Sequence, residues 1–234
     1  MVICIILLAL GALCLTLFLI EKIRKYSVKA TMIKGTTSLL FIALAAYCSF
    51  KNSGHQFDVY VLIALTFGLL GDIWLGLKYS VPAESRSFTF AGFACFAIGH
   101  VLYIIGMMTS LDYLREWYAY AIPFAAGLLC GALILILEKP LGFKYGEYKF
   151  VCFLYGVLLF TTVFTALFLA ITHQFAKPMY VMLFVGGTLF AISDLILCGT
   201  YFGVGKERPL DLITNAVTYY AAQFIIAFSL FFII

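Results

Sequence analysis

Two aspartates lie inside stretches that are apolar enough to cross a membrane. Asp72 follows Gly71, Asp194 follows Ser193, and each aspartate precedes a further run of apolar residues. A charged side chain at the centre of a membrane helix costs about 2.5 to 3.5 kcal/mol even on permissive insertion scales. Two carboxylates in unequal surroundings can act as a general acid and as an anion that stabilises positive charge. We therefore interpret Asp72 and Asp194 as a candidate catalytic pair. The alternative is a structural role, with neighbouring groups satisfying each carboxylate.

Further polar residues recur at matching distances from the two aspartates. One polar residue precedes each aspartate by 38 or 39 positions, and another follows it by 28 or 29. They are Lys34 and His100 for Asp72, and Tyr155 and Gln223 for Asp194. The halves are thus offset by 121 to 123 residues, which corresponds to four helices. Since an even number of helices preserves orientation, the spacing predicts a parallel internal repeat of four plus four helices.

Each of these polar residues has a chemical and a structural interpretation. Lys34 is a candidate partner for a carboxylate or for a phosphate, although its stem can also snorkel to the membrane surface. His100, with Tyr103 one turn further on the same helical face, is a candidate proton relay or substrate-positioning residue. The remaining candidates either relay protons and position substrate or only hydrogen-bond between helices, and they are Tyr155, Asn215, Tyr219 and Gln223. The seven cysteines are unclustered and lack zinc or redox spacing, so we expect packing roles, no metal and no organic cofactor.

The composition places these residues in an integral membrane protein. Hydrophobic residues make up 65% of the 234 residues, charged residues make up 11%, and the mean hydropathy is +1.09. A hydrocarbon core about 30 Å thick needs about 20 apolar residues per helix. The sequence predicts one all-α transmembrane domain over residues 1–234, with eight helices at about 2–20, 31–50, 59–77, 88–110, 117–137, 150–172, 178–199 and 212–233.

The distribution of basic residues predicts the orientation of these helices. Cytoplasmic connections carry an excess of Lys and Arg, and here only Lys51, Arg115 and Lys177 lie in the connections after even-numbered helices. The connections after odd-numbered helices hold Lys22, Arg24, Lys25, Lys29, Lys78, Arg86, Lys139, Lys144, Lys149, Lys206 and Arg208. We therefore expect both termini outside the cytoplasm. The net charge of +4 follows from this topology and does not indicate a nucleic-acid partner. The connections are short and the sequence shows no targeting segment, so we expect this protein in a bacterial inner membrane.

The depth of the polar residues predicts a shared cavity. At about 1.5 Å per residue, both aspartates fall within roughly 10 Å of the cytoplasmic interface, together with Lys34, Tyr155 and Asn215. Four other polar candidates fall nearer the midplane, and they are His100, Tyr103, Tyr219 and Gln223. Polar groups from helices two, three, four, six, seven and eight can thus line one cavity that opens toward the cytoplasm. Helices one and five carry no such residue, which predicts peripheral packing.

The order and spacing of these motifs resemble the YhhN family of eight-helix membrane proteins. The matching segments are Lys34, the pair at 71–72, and residues 99–103, 186–194 and 219–223, which together span helices two to eight. Characterised animal members of this family are lysoplasmalogenases. The resemblance therefore implies hydrolysis of the vinyl-ether bond of a lysophospholipid, in contact with membrane lipid, to a fatty aldehyde and a glycerophospho-headgroup. The residues alone assign neither aspartate as the acid, because close carboxylates titrate together.

A transporter or scramblase of lipids or small molecules is the alternative function. Parallel repeats and a polar cavity with access from one side also occur in carriers. A carrier needs a route to the exterior, where the helices offer few polar residues beyond Thr109, Ser110 and Ser229. This asymmetry favours a closed-ended cavity and hence an enzyme over a carrier. A receptor or assembly factor without turnover is a third class. The sequence specifies neither the oligomeric state nor the preferred headgroup.

Overall fold

Each apolar run of the sequence forms a helix in the computed structural model, which describes residues 1–24, 27–203 and 208–233. The helices are α1 (Val2–Arg24), α2 (Val28–Lys51), α3 (Gln56–Ser80), α4 (Ser85–Ser110), α5 (Trp117–Ile136), α6 (Lys149–Thr172), α7 (Pro178–Phe202) and α8 (Pro209–Ser229). These described residues form no strand, and all eight helices are long and apolar enough to span a membrane. The predicted all-α fold with eight spanning helices is confirmed. The orientation stays a prediction, and two basic residues used for it, Lys25 and Lys206, lie outside the described residues.

The helix boundaries differ from the predicted ones by a few residues. Most helices extend past the apolar run, because a helix continues until a capping group or a turn ends it. At the start of α3, for example, the His55 ring accepts a hydrogen bond from the backbone of Phe57 at 3.1 Å, and Asp58 accepts one from the backbone of His55 at 2.9 Å. Helix α5 ends one residue earlier than predicted. Helix α8 ends at Ser229 instead of residue 233, because its last turn tightens into a short 3₁₀ helix.

The helices pack mainly as sequential neighbours, from α1 to α4 and from α5 to α8. Among helices that are not sequential, α4 packs against α6, and α8 packs against α1, α2 and α3. A shift of four helices converts the contact of α2 with α8 into the contact of α6 with α4, as a repeat of four plus four helices requires. The internal duplication itself stays a prediction.

Two glycines of α5 allow its backbone to lie close to the backbone of α6. A Cβ atom added at Gly127 would lie 2.8 Å from the backbone nitrogen of Thr161 and 2.8 Å from the carbonyl oxygen of Val157. Gly131, one turn further along α5, would place a Cβ 3.1 Å from the carbonyl oxygen of Phe153. Glycines at this spacing are typical of membrane helices whose backbones touch. Because the opposing atoms belong to the backbone, any side chain at Gly127 must push the two helices apart.

We therefore expect Gly127→Ala to lower the thermal unfolding midpoint of the detergent-solubilised protein. Overpacking of this kind costs about 1 to 3 kcal/mol. Gly199→Ala is the matched control, because a Cβ at this position on α7 would meet nothing within 4 Å. The control should unfold at the wild-type temperature or slightly above it, since alanine favours a helix over glycine. Equal midpoints for the two variants would contradict the close approach of α5 and α6.

Candidate active site

A cavity of about 390 Å³ lies among the helices, and both aspartates line it. Its rim lies on the side of the protein where the connections after the odd-numbered helices are found. Tyr79 at the end of α3 and Tyr201 at the end of α7 are examples of rim residues. We call this side of the protein the basic face. The expectation that helices one and five are only peripheral is wrong for the cavity, because Phe18 and Lys22 of α1 and Ile134 of α5 line it. These are mainly apolar contacts, and sequence reasoning that followed intramembrane polar residues did not identify them.

Asp72 is buried, and donors from two other helices, α2 and α8, contact its carboxylate. The ammonium nitrogen of Lys34 lies 2.8 Å from its Oδ1 atom. Its Oδ2 atom accepts hydrogen bonds from the Ser38 hydroxyl at 2.6 Å and from the Tyr219 hydroxyl at 2.7 Å. The carboxyl group is only 1% exposed. A cation and two hydroxyl donors suit an ionised carboxylate, so this arrangement stabilises Asp72 as an anion.

Other side chains fix the position of this cluster. The Tyr220 hydroxyl donates to the carbonyl oxygen of Lys34 at 3.0 Å, and the Gln223 amide donates to the Tyr219 hydroxyl at 3.1 Å. Sequence reasoning did not identify Ser38 or Tyr220. Ser38 lies one helical turn after Lys34 on the same face of α2, a spacing that allows a shared partner but does not by itself indicate one.

Asp194 has a different set of partners. It is half-buried, and its Oδ2 atom accepts a hydrogen bond from the Tyr155 hydroxyl of α6. The same hydroxyl lies 3.4 Å from Nε2 of His100 on α4, and Nδ1 of His100 lies 3.2 Å from the Thr162 hydroxyl. No ion pair reaches Asp194 in the described parts of the chain. The two carboxylates therefore stand in unequal surroundings, one beside a cation and one beside a neutral phenol.

Asn215 joins α7 and α8 next to Asp194. Its amide nitrogen lies 2.9 Å from both the carbonyl oxygen and the hydroxyl oxygen of Ser193, and the Ser193 hydroxyl donates to the carbonyl oxygen of Asn215 at 3.1 Å. Both residues line the cavity. These reciprocal bonds fix the backbone that carries Asp194, and they leave no amide donor of Asn215 aimed at the carboxylate.

Three aromatic rings pack together at the end of the cavity that is away from the basic face. Phe96 of α4 and Tyr219 of α8 line the cavity, and Phe190 of α7 packs behind them. The three rings meet edge to face, with ring centroids 5.4 to 6.0 Å apart. We call these three rings the aromatic floor. Contrary to the expectation, His100, Tyr103 and Gln223 do not line the cavity.

The deeper polar residues lie behind this floor because Phe96 occupies the cavity-facing position one turn before His100. His100 is in edge-to-face contact with Phe190 at 5.0 Å, and it reaches the site through Tyr155. The hydroxyl of Tyr103 and the amide oxygen of Gln223 are buried and have no hydrogen-bond partner among the described residues. Gln223 still contributes through its amide nitrogen, which contacts Tyr219.

The connection between α5 and α6 forms part of the rim on the basic face. Glu138 accepts a hydrogen bond from the backbone of Tyr145 at 3.1 Å and pairs with Lys149 at 2.7 Å. The hydrogen bond from Lys149 lowers the pKa of Glu138. The backbone nitrogen of Lys144 donates to the carbonyl oxygen of Phe202 at 2.9 Å, which ties the connection to the end of α7. Among the described residues, no group of three or more His, Cys, Asp or Glu side chains is arranged so that it could hold a metal ion.

Comparison with known proteins assigns the chain to a family. The model of the YhhN family matches residues 29–230, a stretch that runs from the second residue of α2 past the end of α8 and includes both aspartates. No match was found among curated proteins or among solved structures. Because the family match covers most of the 234 residues, the chain belongs to the YhhN family of helical membrane-type proteins.

Proposed function

We propose that this protein hydrolyses the vinyl-ether bond of lysoplasmalogen-type lysophospholipids to a fatty aldehyde and a glycerophospho-headgroup. The observation that carries the proposal is the pair of carboxylates in one cavity, with Lys34 beside Asp72 and Tyr155 beside Asp194. Vinyl-ether hydrolysis needs a proton donor and an anion, because protonation of the alkene creates a cation. Membership of the YhhN family supports the same reaction class.

The unequal surroundings suggest which carboxylate gives the proton. Asp72 lies beside the Lys34 ammonium and accepts two hydroxyl hydrogen bonds, so it serves as the permanent anion. Asp194 has a neutral partner, so it serves as the general acid. Glycosidases likewise use one carboxyl group as the general acid and a second, ionised one at the oxocarbenium-like transition state.

The proposed reaction proceeds in three steps. Asp194 transfers its proton to the β-carbon of the vinyl ether, which leaves an oxocarbenium ion stabilised by the Asp72 carboxylate. Water then adds to the cationic carbon and returns a proton to Asp194, which forms a hemiacetal. In the last step Asp194 gives its proton to the glycerol oxygen as the carbon–oxygen bond breaks, and it takes up the proton of the hemiacetal hydroxyl, which becomes the aldehyde carbonyl. The net reaction consumes one water molecule and restores both carboxyl groups.

Tyr155 and His100 form a hydrogen-bonded chain that suits an acid whose protonation changes during turnover. When Asp194 is ionised, the Tyr155 hydroxyl donates to it and the Nε2–H group of His100 donates to the Tyr155 oxygen. When Asp194 is protonated, it can donate to Tyr155, whose hydroxyl then donates to Nε2 of a neutral His100. Both arrangements keep every hydrogen bond of the chain. We therefore assign Tyr155 and His100 as positioning residues for Asp194.

The shape and lining of the cavity favour a single-chain amphiphile over a transported solute. Its walls are mainly apolar, its few polar groups converge on the aspartates, and its volume of about 390 Å³ lies in the usual range for ligand sites. A carrier would need a path past the aromatic floor, yet the cavity is not lined by Thr109, Ser110 or Ser229. We place its opening at the cytoplasmic leaflet, following the orientation that the basic residues predict.

The test is incubation of detergent-solubilised protein with lysoplasmenylcholine in heavy water. We expect fatty aldehyde that carries one deuterium on the carbon next to the carbonyl, because the proton of the first step comes from an exchangeable acid. Micelles contain no second compartment, so transport cannot produce this aldehyde. A saturated alkyl analogue should release none, since it has no alkene to protonate. Lipid movement across vesicles without aldehyde formation would contradict the proposed hydrolysis and support a scramblase.

A further inference from the structure

The lining of the cavity differs between the two halves of the chain. Among the described residues of α1 to α4, Leu75 is the one aliphatic side chain in the lining, and the others there are aromatic or charged. The second half contributes most of the aliphatic and small lining residues. We call one group of them, from α5, α6 and α7, the aliphatic wall, and its members are Ile134, Cys152, Gly156, Leu159 and Leu197.

The aliphatic wall adjoins Asp194. On α6, Leu159 lies one helical turn after Tyr155, whose hydroxyl donates to Asp194. On α7, Leu197 lies three residues after Asp194 and therefore on the same helical face. Asp72, in contrast, is contacted by polar side chains of α2 and α8. One carboxyl group thus stands beside an aliphatic surface and the other beside polar groups.

The proposed reaction determines which end of a vinyl ether faces this wall. The β-carbon, which receives the proton, is also the carbon that bears the alkyl tail. The α-carbon, which becomes cationic, bears the ether oxygen and the headgroup. Because Asp194 gives the proton and Asp72 stabilises the cation in the proposed reaction, the β-carbon lies at Asp194 and the α-carbon lies toward Asp72. The tail therefore leaves the reacting carbons on the side of Asp194.

We propose that the aliphatic wall binds the alkyl tail of the substrate and that Gly156 provides room for it. This inference rests on the proposed function and adds the orientation of the substrate in the cavity. A surface of this kind suits an alkyl chain, because each methylene that leaves water for an apolar surface strengthens binding. The wall offers that contact directly beside the carboxyl group that protonates the tail-bearing carbon.

Gly156 controls the width of the cavity at this wall. A Cβ atom added there would lie 2.5 Å from the Cδ1 atom of Ile134 and 3.6 Å from the Cα atom of Gly131. The backbone of Ile134 is held, because its carbonyl oxygen accepts a hydrogen bond from the Tyr145 hydroxyl at 3.3 Å. The end of the Ile134 side chain must therefore move when residue 156 gains a methyl group. Since both residues line the cavity, the space for a tail becomes narrower.

The first test maps the tail by photocrosslinking in the wild-type protein. The probe is a saturated alkyl lysophosphatidylcholine with a diazirine on a tail carbon close to the ether oxygen. Light expels dinitrogen from the diazirine, and the resulting carbene inserts into a neighbouring bond. We expect adducts in the peptides of α6 and α7 that contain the aliphatic wall, and excess unlabelled probe should abolish them. Displaceable adducts at Phe18, Leu75 or Phe93 instead, or no displaceable adduct at the wall, would overturn the inference.

The second test measures the effect of Gly156→Ala on the dissociation constant of the saturated alkyl lysophosphatidylcholine. This constant comes from the concentration dependence of the thermal unfolding midpoint. We expect binding to weaken about fourfold, which is the contribution of about one buried methylene. The double variant Gly156→Ala/Ile134→Val should recover most of the loss, because valine lacks the Cδ1 atom. Gly199→Ala is the matched control, since Gly199 does not line the cavity and a Cβ there would meet nothing within 4 Å.

Unchanged binding in Gly156→Ala, or a loss that Ile134→Val does not recover, would mean that the tail lies elsewhere. The crosslinking map decides the question alone if Gly156→Ala does not fold. A saturated ether has no alkene to protonate, so both tests are independent of turnover. Aldehyde formation together with a tail on the side of α1, α3 and α4 would keep the proposed hydrolysis and reject this orientation. A tail at the aliphatic wall without aldehyde formation would reject the hydrolysis and keep the binding site.

Discussion

Replacement of Asp194 by asparagine is expected to lower kcat for aldehyde release by about three orders of magnitude, within the range of about 10² to 10⁴ that general acids contribute. An amide has nearly the shape of a carboxyl group, but it cannot give a proton to carbon. Its oxygen still accepts the hydrogen bond from Tyr155, so the chain from Asp194 to His100 keeps its anchor. The loss should therefore appear in kcat with little change in KM. The measurement is the steady-state rate of aldehyde release in micelles as a function of lysoplasmenylcholine concentration.

Two controls separate chemistry from folding in this experiment. The thermal unfolding midpoint of Asp194→Asn should lie close to that of the wild type, because no charged partner loses its counterion. The variant should also bind the saturated alkyl lysophosphatidylcholine with unchanged affinity. Wild-type rates in a folded Asp194→Asn protein would remove Asp194 from the mechanism and would leave Asp72, the other carboxyl group that lines the cavity among the described residues, as the candidate acid.

The elements of the fold could be predicted from the sequence because the bilayer sets their length. About 20 apolar residues cross the hydrocarbon core, and charged or turn-forming residues end each run. The structure accordingly places a helix at every predicted run. The ends were less predictable because they depend on local caps, such as the contacts among His55, Phe57 and Asp58, and on the final 3₁₀ turn after Ser229.

The partners of the aspartates could be predicted only in part. The spacing indicated one partner on the preceding helix of each half, and the structure places Lys34 beside Asp72 and Tyr155 beside Asp194. Ser38 gave a weak signal, because serine and threonine hydroxyls along membrane helices routinely bond to the carbonyl four residues earlier. Ser38 makes that bond to Lys34 as well, at 3.1 Å, so its contact with Asp72 appears only in three dimensions.

The closed end of the cavity could not be predicted from polar residues at all. It depends on three rings from α4, α7 and α8 that meet edge to face, and the distances between helices decide whether such rings touch. Depth along each helix grouped Tyr219 with His100, yet the Tyr219 hydroxyl bonds to Asp72 and lines the cavity. Depth therefore contained no information on which side chains face the cavity. The contribution of α1 was hidden for a related reason, since Phe18 resembles any other apolar residue of a spanning helix.

Replacement of Lys34 by methionine is expected to lower the free energy of unfolding by about 3 to 5 kcal/mol, the usual cost of leaving one member of a buried ion pair without its partner. Asp72 is 1% exposed, and the two hydroxyl groups that remain cannot replace the charge of the ammonium. The variant should also lose activity, because Asp72 would lose the ammonium that stabilises and orients its carboxylate beside the oxocarbenium ion. Thermal unfolding in detergent and aldehyde release measure the two effects.

The double variant Lys34→Met/Asp72→Asn distinguishes the structural role of the ion pair from its role in the reaction. Removal of both charges together should restore most of the unfolding free energy that Lys34→Met loses, because no unpaired charge is then buried. Activity should not return, since the cavity would hold no permanent anion beside the cationic intermediate. Recovery of both stability and aldehyde release would show that the Lys34–Asp72 pair serves the fold alone, and that Asp194 acts without it.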